Sequence, residues 1–478
     1  MIPSAASPLV AAARRLSVVG AGLGLLAAVP LSAQSAAVDP TAALLSEIIK
    51  VNTSNPPGTT QGIADLLGPK LKAAGFSIEV FPTPEPGKVH FIARLKGDGS
   101  KKPVLLAAHA DVVGVEREKW TVDPFAGLIK DGHVYGRGAV DFKGGMAVFV
   151  AALLRIAEQK VPLARDIIFM AEADEEGMPL NTNWLAKDHW ASMDAEFALN
   201  EGGWIMKNDD GKVRYVSIST ADKSSVAITL TSKGTSTHSS MPLPDNPLAS
   251  LGQAIAKISA FEAPVQLPAE NKQFFLTLAK TTTGAESKAL RDLVQGTPAQ
   301  VKAADKIVSK DPLLHAIMRN TFAPVIMQGG FRSNVIPGSA SATVNMRLIP
   351  GTKPQAMIDL LTRVVNDPRV TIKLASPSAA DAIPISSTET ELYKALAAES
   401  KVQWPTAEVT PYIFQAGTDA AAWRSRGVPV YGIYPYPISA DELSRMHGND
   451  ERVSIASLQQ GTDMIYRTIV RVAGKGGK

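Results

Sequence analysis

Four acidic side chains crowd the stretch Glu172-Ala173-Asp174-Glu175-Glu176. At the end of an apolar strand such a run is costly unless cations compensate it. Neighbouring residues of extended backbone point to opposite sides. Glu175 and Glu176 can therefore divide the work, one binding a metal and the other facing a water as its base. His109 directly follows the apolar run Pro103 to Ala108, with Asp111 two positions on. An imidazole that binds metal through one nitrogen needs the other held by an acceptor, which Asp111 can supply. Asp141 stands in Gly136-Arg137-Gly138-Ala139-Val140-Asp141-Phe142-Lys143-Gly144-Gly145, glycine-rich backbone that lets a ligand approach. Its other open role is the N-cap of the following helix. Glu201 lies beside glycines at another strand end, and His447 in Met446-His447-Gly448 precedes the last helix. His238 stands in Thr237-His238-Ser239-Ser240-Met241-Pro242. His90, His133, His189 and His315 have no comparable setting.

The elements that must position these residues alternate. Helical periodicity from Thr41 to Val51 is broken by Asn55-Pro56-Pro57-Gly58. Helical patterns over 61–74 and 143–159 alternate with strand patterns at 77–81, 90–95, 103–108, 166–171 and 197–199. The continuous apolar run before His109 predicts a strand buried on both faces. Such alternation predicts an α/β domain with a largely parallel mixed sheet flanked by helices. In open sheets of this kind ligands gather beyond the carboxyl ends of the strands, where His109, Glu175 and Glu201 fall. From about Ala221 the pattern changes to alternating strands around the helices 248–261 and 355–365, which predicts a smaller α+β unit with a one-faced sheet. The expected domains are catalytic residues 38–220 and 379–478, interrupted by a lid and dimerisation domain over 221–378. Residues 266–311 carry few strand signals and read as helical, with no role evident.

With 478 residues, 45% hydrophobic and 20% charged, the chain is long enough for two cores and ordinary for a globular protein. A net charge of +4 on scattered basic residues, without a basic stripe, argues against a nucleic-acid partner. Arg14 and Arg15, the apolar run Val18 to Leu31 and small residues up to Ala37 read as an export signal over 1–37. A periplasmic or secreted location with no membrane in the mature form is expected, an uncleaved N-terminal anchor being the alternative reading of the same run. Ser17 leaves the choice between the general and twin-arginine routes open. No cysteine is present, which excludes disulfides, thiolate ligands and a cysteine nucleophile. Any metal must be held by histidine and carboxylates, a donor set suited to zinc, cobalt or manganese.

Taken together, His109-Ala110-Asp111, Gly136-Arg137-Gly138-Ala139 through Asp141-Phe142-Lys143-Gly144, Glu175-Glu176 and Met446-His447-Gly448 resemble the M20 family of metallopeptidases. That family includes glutamate carboxypeptidase, aminoacylase-1, succinyl-diaminopimelate desuccinylase and carboxypeptidase S-like enzymes. The resemblance runs from Asn55 to His447 and extends to the lid motifs at His238-Ser239-Ser240-Met241-Pro242 and Asn334-Val335-Ile336-Pro337. It implies two divalent metal ions, zinc first, with cobalt or manganese as alternatives. Asp141 would bridge them, His109 and Glu201 would complete one site, and Glu176 and His447 the other. Glu175 would be the general base acting on a metal-bridging hydroxide, and Asp111 the carboxylate that orients His109. His238 would stabilise the oxyanion from the partner subunit of a homodimer. Asn334, Arg347 and the Gly417-Thr418-Asp419 loop would contact the substrate, Arg347 pairing with its carboxylate. The implied reaction is hydrolysis of the amide next to a free carboxylate in a peptide or N-acyl amino acid.

Two other readings compete. A catalytically inactive relative that binds a ligand or partner need not keep every ligand position and Glu175 filled, as this chain does. A nucleophile hydrolase lacks its cysteine and its Gly-x-Ser-x-Gly elbow.

Overall fold

The computed structural model describes residues 38–376 and 383–476. The export signal expected over 1–37, and the expected lid boundary near 378, lie outside the described residues. Among them no helix is long and apolar enough to cross a membrane.

The strand Val104–His109 is buried along its whole length. Its side chains alternate between two apolar layers: Leu106 and Ala108 join one core, Leu105 and Ala107 the other. Ile167–Glu172 does the same beside it, with Phe169 and Ala171 on one side and Ile168 and Met170 on the other. Both lie in a ten-stranded sheet of order Ser77–Pro82, Val89–Leu95, Ile167–Glu172, Val104–His109, Phe197–Asn200, Val430–Gly432, Val213–Asp222, Ile205–Lys207, Pro437–Ile438. Glu408–Phe414 also pairs with Val213–Asp222, in parallel. Pairing is parallel around the His109 strand. It is antiparallel toward Ser77–Pro82 and between Val213–Asp222 and its neighbours Val430–Gly432 and Ile205–Lys207. The fold is therefore α/β with a mixed sheet, parallel at its centre. Lys143–Glu158 and Ile455–Ala473 bury their apolar faces in the larger core.

A separate four-stranded antiparallel sheet runs Thr321–Gly329, Ser339–Leu348, Ser224–Lys233, Val370–Leu374. One face is covered: Val226, Ile228, Leu230, Val344 and Met346 pack against Leu251, Ile258, Ile358 and Leu361 of helices Pro247–Ala260 and Pro354–Val365. The expected one-faced sheet is present. The segment without an evident role forms helices Ala269–Thr281, Gly284–Gln295 and Pro298–Val308. Their buried apolar residues belong to the large core rather than to this smaller one. Phe274 packs on Tyr215 and Tyr412, and buried Asn271 donates to Ile317 O at 2.6 Å and accepts from Ile413 N–H at 3.2 Å. Sequence order could not reveal this docking, because the helices interrupt one sheet and cover another.

Candidate metal centre

Three parallel strand ends deliver the first group of candidate ligands. His109 closes its strand, Glu201 follows Phe197–Asn200 by one residue, and Glu175 and Glu176 follow Ile167–Glu172 in a turn. Asp141 and His447 come from loops that an ion pair clamps together. Arg137 and Glu451 are both buried, and their charges meet at 2.6 Å. Glu451 also accepts the backbone N–H groups of Gly138, Val140 and Asp141 at 2.7–3.1 Å. Arg137 in turn donates to the carbonyls of His447 and Gly448.

At the centre Asp141 presents one oxygen to each imidazole. Its Oδ1 is 3.0 Å from His109 Nε2, and its Oδ2 is 3.0 Å from His447 Nε2. Glu176 Oε1 lies 3.0 Å from His447 Nε2, although the two residues are 271 positions apart. Glu201 Oε2 lies 3.6 Å from His109 Nε2. Ligand-capable atoms of His109, Asp141 and Glu176 fall within 4.8 Å of one another, and so do those of His109, Glu175 and Glu201. His447 is exposed while the carboxylates it meets are mostly shielded, so the cluster opens to solvent on its side.

The electrostatics fit a cationic guest. Burial pushes the Glu201 carboxyl up, and the charge of Asp141 adds to it, reaching about 8. Burial followed by the charge of Glu201 raises Glu175 well above the usual carboxylate range. Burial opposes a charged Asp141, yet hydrogen bonds from His109 and His447 hold it well below that range. The hydrogen bond to Asp141, then that to Glu176, lifts His447 to about 10. Burial works against a charged His109, and Glu201 and Asp141 outweigh it. In the metal-free protein protons thus stand where cations would. All donors are imidazole nitrogens and carboxylate oxygens, the set expected for divalent zinc, cobalt or manganese.

The acidic run is dealt out to different tasks. Glu172 is fully buried, and burial together with Asp419 drives its carboxyl well up. Asp174 meets the Lys88 ammonium at 2.5 Å. That leaves Glu175 and Glu176 for the cluster, and the Glu175 carboxylate makes no hydrogen bond among the described residues. Asp111 works differently from expectation. His109 Nδ1 is held by the main-chain carbonyl of Asp111 at 2.8 Å, and the carboxylate is 3.9 Å away. The carboxylate instead accepts the N–H groups of Glu175 and Glu176, each at 3.1 Å. The cause is the chain's course past Ala110, which brings the Asp111 carbonyl back to the ring.

Arg347 lies on the smaller sheet, part-buried, and a side chain at Gly417 would begin 3.5 Å from its Nη1. Burial lowers its pKa, and the nearby charge of Glu175 partly restores it. His238 is exposed in the short pair Thr237–His238 with Val335–Ile336, and its Nδ1 is 2.8 Å from Ser240 Oγ. Asn334 O accepts the N–H of Ser239 there. His238 and Asn334 make no hydrogen bond to the cluster among the described residues.

Tyr434 and His90 also escaped the sequence reading. The buried Tyr434 hydroxyl lies 3.0 Å from Glu201 Oε2 and 3.1 Å from Asp141 Oδ1. A tyrosine just past a strand end carries no signal that separates it from a core residue. His90, read as ordinary, is fully buried and braces the acidic turn. Its Nδ1 accepts from Ala173 N–H at 3.2 Å, which leaves Nε2–H to donate to Leu180 O at 2.9 Å. Burial pushes its pKa from 6.5 down to about 4. The unfolded chain takes up this proton near pH 6.5 and the folded chain only near pH 4. The associated stability is therefore complete above about pH 6.5 and lost as pH falls through about 4, about 3 kcal/mol in all. Unfolding free energy measured across that window should fall less steeply in His90→Gln than in the unaltered protein. An identical slope would remove His90 from the acid response.

The fold and the sequence both have relatives. The profile of Peptidase family M20/M25/M40 matches residues 105–471. A probable carboxypeptidase S-like 2 of Dictyostelium discoideum is 30% identical over 380 residues, 78% of this chain and 72% of the relative. The N-fatty-acyl-amino acid synthase/hydrolase PM20D1 of Homo sapiens is 27% identical over 397 residues, 80% of this chain and 76% of the relative. The crystal structure of the M20 family metallo-carboxypeptidase Sso-CP2 from Sulfolobus solfataricus superposes with a TM-score of 0.69 at 17% identity, covering 90% of this chain and 98% of that one. The chain belongs to peptidase family M20/M25/M40 and is a hydrolase of that metallopeptidase class.

Proposed function

We propose that the chain is an exported two-metal hydrolase that cleaves the amide bond next to a free C-terminal carboxylate in peptides or N-acyl amino acids. The observation that carries this reading is Asp141, one oxygen toward His109 and the other toward His447. His109 and Glu201 would hold one ion and Glu176 and His447 the other, with Asp141 shared. Bound there, two divalent cations supply Lewis-acid polarisation of the scissile carbonyl and bring the pKa of water toward neutrality. The protein's own residues do the rest. Glu175, not engaged by hydrogen bonds among the described residues and ionised once bound cations offset its burial and the charge of Glu201, takes a proton from the attacking water and returns it to the leaving amine. Arg347, beside Gly417, pairs with the substrate carboxylate. Asn334 contacts the substrate, and Tyr434 steadies Glu201 and Asp141.

His238 would act as oxyanion donor across a dimer formed by the lid, read as 221–378, with 38–220 and 379–478 as the catalytic part. The edge strand Thr321–Gly329 supports that pairing. Val325, Ile326 and Met327 are each more than half exposed and Phe331 is 79% exposed, an apolar sheet edge of the kind that recruits a second strand. Ile326→Lys should therefore turn a sedimenting dimer into a monomer and remove most activity. A variant still dimeric, or monomeric and fully active, would sink the role across the interface. The substrate class is tested by hydrolysis of dipeptides and N-acyl amino acids, each with a free or amidated C-terminus, with and without a chelator. Chelator-sensitive cleavage confined to free carboxylates supports the reading. Metal-loaded protein that cleaves none of them counts against it.

A further inference from the structure

Asn55 opens the Pro-Pro turn, and its side chain reaches behind the metal cluster. Its Nδ2 donates to Asp111 Oδ2 at 2.8 Å and to Asp174 Oδ1 at 3.0 Å. Both carboxylates are fully buried. Asp111 carries the Glu175 and Glu176 N–H groups, while Asp174 accepts Leu180 N–H at 2.7 Å and faces Lys88. An amide NH2 has two hydrogens and no charge, so it can serve two carboxylates at once; an oxygen in its place would confront two acceptors.

The slot around this amide is closely built. Gly58 has a φ of +71°, and a Cβ on it would stand 2.8 Å from Asn55 Cγ. A Cβ on Gly177 would stand 2.2 Å from Asn55 Nδ2. Glycine at these two positions leaves the amide its room.

We infer that Asn55 is a positioning residue for hydrolysis: by bridging Asp111 and Asp174 it fixes the carboxylate that carries the Glu175–Glu176 main chain. This inference rests on the two-metal hydrolase reading above. Asn55 places the base and the adjacent metal ligand together, and it acts through Asp111 without meeting the substrate. Its loss should therefore appear in kcat and in metal affinity, with KM nearly unchanged.

The test compares Asn55→Asp and Asn55→Ala with the unaltered protein and Glu175→Gln. It measures turnover on a substrate the unaltered protein cleaves, and Zn2+ affinity by competition with a chromophoric chelator. Asn55→Asp keeps the shape, loses the paired donors and adds charge beside two carboxylates. It is expected to lower kcat and Zn2+ affinity by about 10–100-fold, with KM within about threefold. Asn55→Ala should be milder in both. A side chain that merely filled space would give the opposite order, with the isosteric aspartate near normal. Unchanged kcat and Zn2+ affinity in Asn55→Asp, or in Asn55→Ala if the former does not fold, would overturn the inference. An unaltered, Zn2+-loaded protein that cleaves no peptide or N-acyl amino acid would instead strike the hydrolase reading. Full activity in Glu175→Gln would remove only the base role, and in both cases the Zn2+ measurement would still decide the place of Asn55.

Discussion

Glu175→Gln should lower kcat by about 10²–10⁴-fold while the protein still takes up its full complement of metal. Glutamine keeps the length and the neutral volume of a protonated glutamate but cannot accept a proton and return it. The main-chain N–H to Asp111 is untouched by the change, so the turn that carries Glu176 should stay in place. Removing a carboxylate from a buried group of like charges also relieves repulsion, since burial and then Glu201 already push Glu175 up. Thermal stability of the metal-free variant should therefore equal or slightly exceed that of the unaltered protein. Metal analysis, turnover and melting on the same preparation separate the outcomes. Normal turnover would take Glu175 out of the base role, and lost metal would make it a ligand instead.

The core sheet was legible because its strands bury both faces, and an apolar run such as Pro103 to Ala108 has few other solutions. Periodicity likewise marked helices such as Lys143–Glu158. Short strands in polar surroundings were not legible. Leu128–Lys130 and His133–Tyr135 show why, because they complete a small sheet with Arg452–Ser454 from the far end of the chain. No local pattern marks strands whose third partner lies so distant in sequence.

The residues of the candidate cluster were legible because each stands at a strand end or near glycines, where the chain gives a side chain room and an outlook. Their supports were not, because nothing local marks Arg137 and Glu451, or Asn55 and Asp174, as partners. Each pair is specified by burial, and burial across such distances is a property of the fold. The same limit explains Asp111. His-x-Asp spacing suggested a carboxylate hold on the imidazole, whereas the backbone gave that task to a carbonyl and freed the carboxylate to carry two N–H groups.

Asp141→Asn should cost more than any other single change, with activity down by about four orders of magnitude and metal content well below that of the unaltered protein. Asparagine keeps the size and one oxygen, and the Asp141 N–H to Glu451 is a main-chain bond that survives. What disappears is the charge shared by His109 and His447. At neutral pH the metal-free site holds protons on His447, raised to about 10 by Asp141 and Glu176, and on Glu201, raised to about 8 by burial and Asp141. Loading must displace them, so apparent Zn2+ affinity should rise with pH until Glu201, near about 8, and His447, near about 10, have lost their protons, and protons should be released below that. Calorimetry in two buffers of different ionisation heat counts those protons. Because a ligand that binds only the folded state stabilises it by about 2.7 kcal/mol at a hundredfold excess over Kd, Zn2+ should also raise the melting temperature of the unaltered protein. In Asp141→Asn both the proton release and the stabilisation should shrink toward zero. A variant that still binds two ions and still melts higher with Zn2+ would show that Asp141 is not the shared ligand, and the pairing of its two oxygens with two imidazoles would need another purpose.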